Sequence, residues 1–393
     1  MKFSFAQEHL DFIDEVDIFL KAHKDPSVMN PQRENMAMLC DTPERRKFMK
    51  KVSAQGWLGL TWPTEYGGKD IDGIYEFLLN EKLAGVGAPQ IGKGVGFVGK
   101  TLIRHGTTKL KKEFLPKIIN AEIEFAIGYS EPSAGSDAAA MQLKATRDGD
   151  GWRFNGQKVF TTSAHFADWY WLAARTDPDS PKHKGITLFL VEMNQPGITV
   201  HPMPAMGGER TNVVFLDDVY VHDDYRIGDL NCGFQYISEA LDLERFTLFT
   251  FSPIKVRLLQ LLDYVRTHNR GGTKLIDEPW TRQKLVSLIT RCEVARLLGL
   301  RFVSAALKSD KPPTSEASMY KLFATELAQS LADAMMDIAS PSSQLEQGEI
   351  GAAMNGRSAS TYNSTVVDTI GGGTSEVQRN IIARHELGLP RLR

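Results

Sequence analysis

At 393 residues, with 42% hydrophobic and 24% charged content, the chain is long enough for roughly two or three domains around substantial cores. Lys and Arg number 46 against 48 Asp and Glu, a formal charge of −2, so there is no global basic field to hold nucleic acid or an anionic lipid surface. Cys40, Cys232 and Cys292 lie far apart, form no CxxC pair and no metal-ligand spacing, and fit a reducing compartment without structural disulfides.

The first 24 residues set acids among apolar residues at helical spacing, and Leu10, Phe12, Ile13, Val16, Phe19 and Leu20 mark a buried stripe. This is neither a signal peptide nor an Arg-rich transit peptide, and no apolar run approaches membrane-span length, so a cytoplasmic protein without a membrane span is expected. Residues 1–122 read as mostly helical, broken by a Gly- and Pro-rich loop from Gly56 to Gly68. Gly94 to Thr101, GVGFVGKT, matches the phosphate-loop pattern G-x-x-x-x-G-K-[ST]. A phosphate loop needs a buried strand just before it, and the preceding GAPQIGK is polar and Pro-broken. These glycines are therefore read as allowing close backbone packing.

From 123 to 231 the period changes to that of strands. Ile123 to Tyr129 enters a turn-rich loop, Ser130 to Asp137, with donors at Ser130, Ser133, Gly135 and Ser136. Two strands are expected next, with Asn155-Gly156 as the hairpin turn between them, the second ending in Phe160-Thr161-Thr162. A flat apolar wall beside donors suits a planar redox-active ring, and the same residues also suit a plain hairpin with a polar loop. Tyr170 to Ala173, Ile186 to Val191 and Val213 to Leu216 are further strand candidates. From 232 to 393 helical periodicity returns. Pro253 bends or restarts the helix carrying Glu244, and Arg282 to Leu307 and Ser315 to Ala339 are long enough for bundle helices. The layout is α+β: an N-terminal helical domain, a small middle β-domain and a C-terminal helical bundle.

The Ile123 to Trp169 segment resembles the flavin loop and strand of the acyl-CoA dehydrogenase family. GWLGLTWPTEYGG, LIRHGTTKLKKEFLPKI, the Thr211 to Gly228 strand segment, LDLER at Leu241 to Arg245 and the closing GGGTSEVQRNIIARHELGLPR fit the same family in order and spacing. The resemblance implies the family's fold, with a barrel-like middle domain and a four-helix bundle, and FAD held between them with a neighbouring subunit completing the site. It implies that Tyr129, Ser130, Gly135 and Ser136 contact flavin, that Phe160, Thr161 and Thr162 lie against the ring, and that Thr374 and Glu376 reach the flavin nucleotide. Phe160 stands where many members have Trp. Ser136, Asp242 and Arg245 would lie along the acyl-CoA path.

The family's reaction removes an α-proton from an acyl thioester while the β-hydrogen leaves as hydride to flavin, giving the trans-2-enoyl-CoA. It requires a carboxylate in a dry site and donors at the thioester oxygen. Many members carry that carboxylate directly before the Gly-Thr of the C-terminal motif, where this chain has Gly372. A second subset places it on the bundle helix, which makes Glu244 the candidate base. Arg245 then lies about 100° round the helix from it. Taken without the resemblance, Glu244 is one more solvated helical acid. The Gly372 N–H could serve the thioester oxygen, or the three glycines could be a turn between helices.

Two family features at the subunit interface are poorly matched. In place of R-x-x-F-G stands HNRGGTKLIDEP, with Arg270 a loose counterpart for the FAD pyrophosphate, and Ile338 to Asn355 reads as an irregular loop where Q-x-x-G-G-x-G is expected. These departures resemble a bacterial branch acting on bulky acyl-CoA substrates, some of whose members are mixed tetramers of two related chains. The implied partners are acyl-CoA, an electron-transferring flavoprotein and either further copies of this chain or a related one. Two other readings stay open: a non-catalytic or half-site subunit, and an acyl-dehydrogenase-like flavin monooxygenase. Phe246, Phe249 and Phe251 after the base line the acyl pocket or serve the core.

Overall fold

The N-terminal pattern folds as an amphipathic helix. In the computed structural model, which describes residues 5–248, 250–306 and 313–390 but not the side chains of 34–37 and 242–248, α1 spans Gln7–Ala22. Phe12, Val16, Phe19 and Leu20 are buried, whereas Leu10 is 40% exposed. Leu10 lies about 200° from Phe12 around the helix and so falls outside the stripe. Three more helical segments begin with their own caps: α2 (Pro43–Ala54) behind Thr42, α3 (Gly73–Gly85) behind Asp72, and, after α4 (Gly99–His105), α5 (Thr108–Ile119) behind Thr107.

The phosphate-loop lookalike is helical. Gly94–Val98 form a π-helical turn that runs directly into α4. A Cβ on Gly99 would fall 2.1 Å from the Trp62 ring, so the glycine is required for close packing. Lys100 lies 2.7 Å from the buried Glu76 carboxylate, and its charge is thus engaged by the protein itself.

The middle region is built from β1 (Phe125–Gly128), β2 (Lys144–Asp148), β3 (Gly151–Lys158), β4 (Trp169–Arg175), β5 (Ile186–Glu192), β6 (Ile198–Pro204), β7 (Arg210–His222) and β8 (Arg226–Ile227). The order is β6-β7-β3-β2-β4-β5-β8, with β1 parallel to β4 in tandem with β2. Alternate residues of β4 face two cores. Trp171 and Ala173 pack with the N-terminal helices, and Tyr170, Leu172 and Ala174 pack with Phe154, Phe189 and Val214 inside the folded sheet. The expected turn at Asn155-Gly156 is not there. The β2–β3 hairpin turns at Gly149-Asp150, with Gly149 at φ +56, and Asn155 lies inside β3. Its Oδ1 accepts the Asp218 N–H at 2.9 Å, opposite a bulge in β7 where Asp218 has φ +54. β3 also ends at Lys158, so Phe160-Thr161-Thr162 lie beyond the strand.

The C-terminal helices are α6 (Gly233–Leu248), α7 (Ser252–Thr267), α8 (Pro279–Ala306), α9 (Thr314–Ile338), α10 (Arg357–Asp368) and α11 (Ser375–His385). Pro253 restarts the chain as α7 in its first turn, where its missing N–H costs nothing. Residues 339–356 hold only two short 3-10 turns. The bundle is centred on α9, which packs against α6, α7, α8, α10 and α11. α6 touches all three regions: the π-turn and α4, strand β5, and α9.

Candidate active site

The donor-rich loop after β1 is tied to the far end of β3. The Ser130 carbonyl accepts the Val159 N–H at 2.9 Å. Lys158, wholly buried, donates to Glu131 Oε1 at 2.7 Å and to the Tyr129 carbonyl at 3.2 Å. Glu131 also accepts the N–H groups of Gln142 and Leu143, at 2.7 and 2.9 Å, so both ends of the loop meet at one carboxylate. Burial pushes the Lys158 ammonium down to about 8, against the opposing pull of Glu131. The Tyr129 hydroxyl accepts from the Trp171 indole at 2.7 Å. Ser130 is half-buried, whereas Ser133, Gly135 and Ser136 are exposed, and a Cβ on Gly135 would meet nothing within 4 Å.

Beyond β3 the chain forms an arch. Phe160 has φ +57 and is 66% exposed. A bulky aromatic in the left-handed region, showing its ring to solvent, is held there by its surroundings and points to a ligand-facing role. Thr162 is half-buried. Thr161 turns the other way. It is fully buried, its hydroxyl lies 3.2 Å from that of Tyr170, and its N–H and carbonyl are both bonded to Asn212. Of the three residues expected to lie against a ring, Phe160 and Thr162 present side chains on this face, whereas the Thr161 side chain points inward. Asn212 fastens the arch, donating to the carbonyls of Thr161 at 2.8 Å and Thr162 at 3.3 Å and accepting from Arg210 at 2.9 Å. From the N-terminal helices, Lys93 donates to Ser163 at 2.6 Å. Neither Asn212 nor the Lys158–Glu131 pair carries a local signal, because each partner is distant in the sequence.

The Gly371–Gly373 turn joins α10 to α11, with Gly372 at φ +65 and Gly373 at φ +93. Buried Lys321 of α9 donates to the Gly373 carbonyl at 2.7 Å, and Gln378 donates to that of Gly372 at 3.1 Å. Thr374 caps α11, accepting the Val377 N–H at 3.2 Å. Glu376 is held below the usual carboxylate range by its own backbone N–H and by the Thr374 hydroxyl, with Arg379 and Lys321 nearby. Thr374 and Glu376 line an open groove of about 470 Å³ beneath α9. Arg270, in a short hairpin beside α7, is bonded to Glu278 and to the Ile338 carbonyl of its own chain. The side chains of Asp242, Glu244, Arg245 and Phe246 lie outside the described residues, as does Phe249, and the backbone places the first four in the last two turns of α6. Phe251 packs in the bundle core with Leu258 and Leu261.

An exposed aromatic wall, a loop presenting unobstructed donors and a capped helix beside an open groove fit a dinucleotide with a flat ring such as FAD. Among the described residues no group of three or more His, Cys, Asp or Glu could hold a metal ion, and no helix is long and apolar enough to cross a membrane.

Family models agree along the chain: the acyl-CoA dehydrogenase N-terminal domain over residues 6–122, the middle domain over 126–219 and the C-terminal domain over 231–387. The acyl-CoA dehydrogenase FadE26 of Mycobacterium tuberculosis is 35% identical over 373 residues, covering 89% of this chain and 93% of that protein. Among solved structures, a Tcur3481–Tcur3483 steroid ACAD matches with a TM-score of 0.89 and 30% identity, and the ChsE4–ChsE5 complex from Mycobacterium tuberculosis with 0.89 and 32%; each match covers 100% of both chains. The chain belongs to the acyl-CoA dehydrogenase family, whose members are FAD flavoenzymes that dehydrogenate acyl-CoA thioesters.

Proposed function

We propose that this chain dehydrogenates an acyl-CoA thioester between Cα and Cβ to the trans-2-enoyl-CoA, with Glu244 taking the α-proton. The observation that carries this reading is the C-terminal turn: at Gly372, where many relatives supply the base, a glycine at positive φ offers no proton acceptor. α6 then becomes the source of the carboxylate. It meets the N-terminal helices, the sheet and α9.

In this reading Ser136, Asp242 and Arg245 line the acyl-CoA path, and the Gly372 N–H donates to the thioester oxygen as enolate charge develops. Tyr129, Ser130, Gly135, Ser136, Phe160, Thr162, Thr374 and Glu376 hold FAD. Bound FAD supplies the acceptor for the two electrons that leave the β-carbon. An electron-transferring flavoprotein takes the electrons onward, and the reaction belongs to lipid breakdown in the cytoplasm. The domain limits 1–122, 123–231 and 232–393 belong to the same reading. Full-length likeness to chains of a steroid ACAD and of a two-chain complex supports a bulky, ring-bearing acyl group and an assembly that includes a related chain.

Arg270 favours a second reading, a half-site subunit. Its guanidinium is bonded to Glu278 and to the Ile338 carbonyl of its own chain, partners that a neighbour's pyrophosphate would have to share. One experiment tests the main proposal. Glu244→Gln, purified with FAD and mixed without oxygen with acyl-CoAs from butyryl-CoA to a sterol side-chain thioester, should leave the flavin yellow, whereas the unmodified protein is bleached. Bleaching of the variant at a near-native rate would remove Glu244 from the mechanism.

A further inference from the structure

The helix that carries the proposed base is fixed at its start, and the helix that follows it is fixed at its own start by a contact of a different kind. At its start, the backbone before α6 bridges Ile186 at Cys232, and a Cβ on Gly233 would fall 2.8 Å from the Ile186 carbonyl oxygen. The Tyr236 hydroxyl there accepts the Asp229 N–H at 3.1 Å. That end is fixed to the sheet by close backbone approach.

Just beyond its other end, the start of the next helix is held from a different region of the molecule. α6 stops at Leu248, and α7 begins at Ser252 without a capping side chain from Phe251, its N-cap residue. Glu81, on α3, fills that role from 170 residues away in sequence. Its Oε1 accepts the Phe251 N–H at 2.8 Å, and its Oε2 accepts both the Ser252 N–H at 2.7 Å and the Ser252 hydroxyl at 2.6 Å. Three donors on one carboxylate, at the positive end of a 16-residue helix, make a strong anchor. One turn further along α3, a Cβ on Gly85 would lie 3.4 Å from Ser252 Cβ, so the two helices are in contact at this corner. Burial raises the Glu81 carboxyl while the three bonds oppose that rise, and the Tyr320 phenol of α9 is raised by its own burial first and by the Glu81 charge second.

Glu244 sits about one turn before the end of α6. A helix fixed at its start and released at its end can shift its last turn, and an error of about 1 Å at a reacting group can cost on the order of a hundredfold in rate. We propose that Glu81 is a positioning residue, setting the last turn of α6 by holding the start of α7. This rests on the assignment of Glu244 as base.

The test uses the full chain loaded with FAD, with any co-purifying related chain, and the acyl-CoA that bleaches the unmodified protein fastest. Glu81→Gln replaces one acceptor oxygen with an amide donor facing N–H groups. It should lower the limiting rate of anaerobic flavin reduction roughly 10- to 100-fold, with FAD content and half-saturating substrate changed less than about twofold. Ser252→Ala removes one of the three bonds, should lower the rate by about threefold at unchanged half-saturation, and decides the matter if Glu81→Gln does not fold. A native rate, or a loss of rate that only tracks lost FAD or weakened substrate binding, overturns the proposal. Glu244→Gln in the same assay separates the two ideas. If it still reduces flavin, the base assignment fails, and if it is inactive while Glu81→Gln and Ser252→Ala run at the native rate, only the positioning role fails.

Discussion

Replacing Lys158 with Met should loosen the loop from Tyr129 to Met141 more than any other part of the sheet. Lys158 is wholly buried and Glu131 nearly so, with 2.7 Å between their charged atoms. Removing one partner of a buried ion pair costs about 3–5 kcal/mol, because the other charge is left behind. Glu131 keeps its two backbone N–H donors, so the lower end, about 3 kcal/mol, is expected. That corresponds to amide exchange on the order of a hundredfold faster at Gln142 and Leu143, the two amides Glu131 holds. Hydrogen exchange read by mass spectrometry at pH 7 measures it directly. Adding Glu131→Gln to Lys158→Met should recover much of the loss, since no lone charge then remains buried. Exchange in Lys158→Met within threefold of native, or a double variant as loose as the single, would refute the reasoning.

The same lysine has a pH signature. Its folded value, about 8, lies below the ordinary 10.5, so between these values the unfolded chain binds the extra proton. Unfolding free energy from this group therefore rises with pH through that window and is level below it. Urea unfolding of Lys158→Met should lack the rise, and an unchanged pH profile would contradict it. At Phe160 the backbone angle predicts an inverted preference: Phe160→Gly should be about 1 kcal/mol more stable than Phe160→Ala, because only glycine tolerates φ +57 without strain, and both should retain less FAD. Equal melting of the two would show that the arch relaxes. Asn212→Ala strips donors from the Thr161 and Thr162 carbonyls and should destabilise by about 2 kcal/mol, read as a clear fall in melting temperature together with weaker FAD retention.

Local patterns determined much of this protein from the sequence alone. The stripe of Phe12, Val16, Phe19 and Leu20, the restart at Pro253 and the two long bundle helices all follow from a 3.6-residue period and from what proline forbids. The family too was legible, because its motifs are contiguous. The tertiary structure decided where two local signals competed or where partners are remote. Both Gly149-Asp150 and Asn155-Gly156 can turn a chain, and pairing of β3 with β7, with Trp152 and Phe154 buried, selected the first. β6 carries no strand signal of its own, because Pro202 and Pro204 argue against a strand, and only its edge position tolerates them. The inward turn of Thr161 follows from Asn212, 51 residues on; the anchoring of the donor loop from Lys158 and Glu131, 27 apart; and the capping of α7 from Glu81, 170 before it. A periodic pattern records which face of an element is apolar, but a buried polar group is satisfied by whatever the fold brings alongside it, and that neighbour is chosen only when the chain closes on itself.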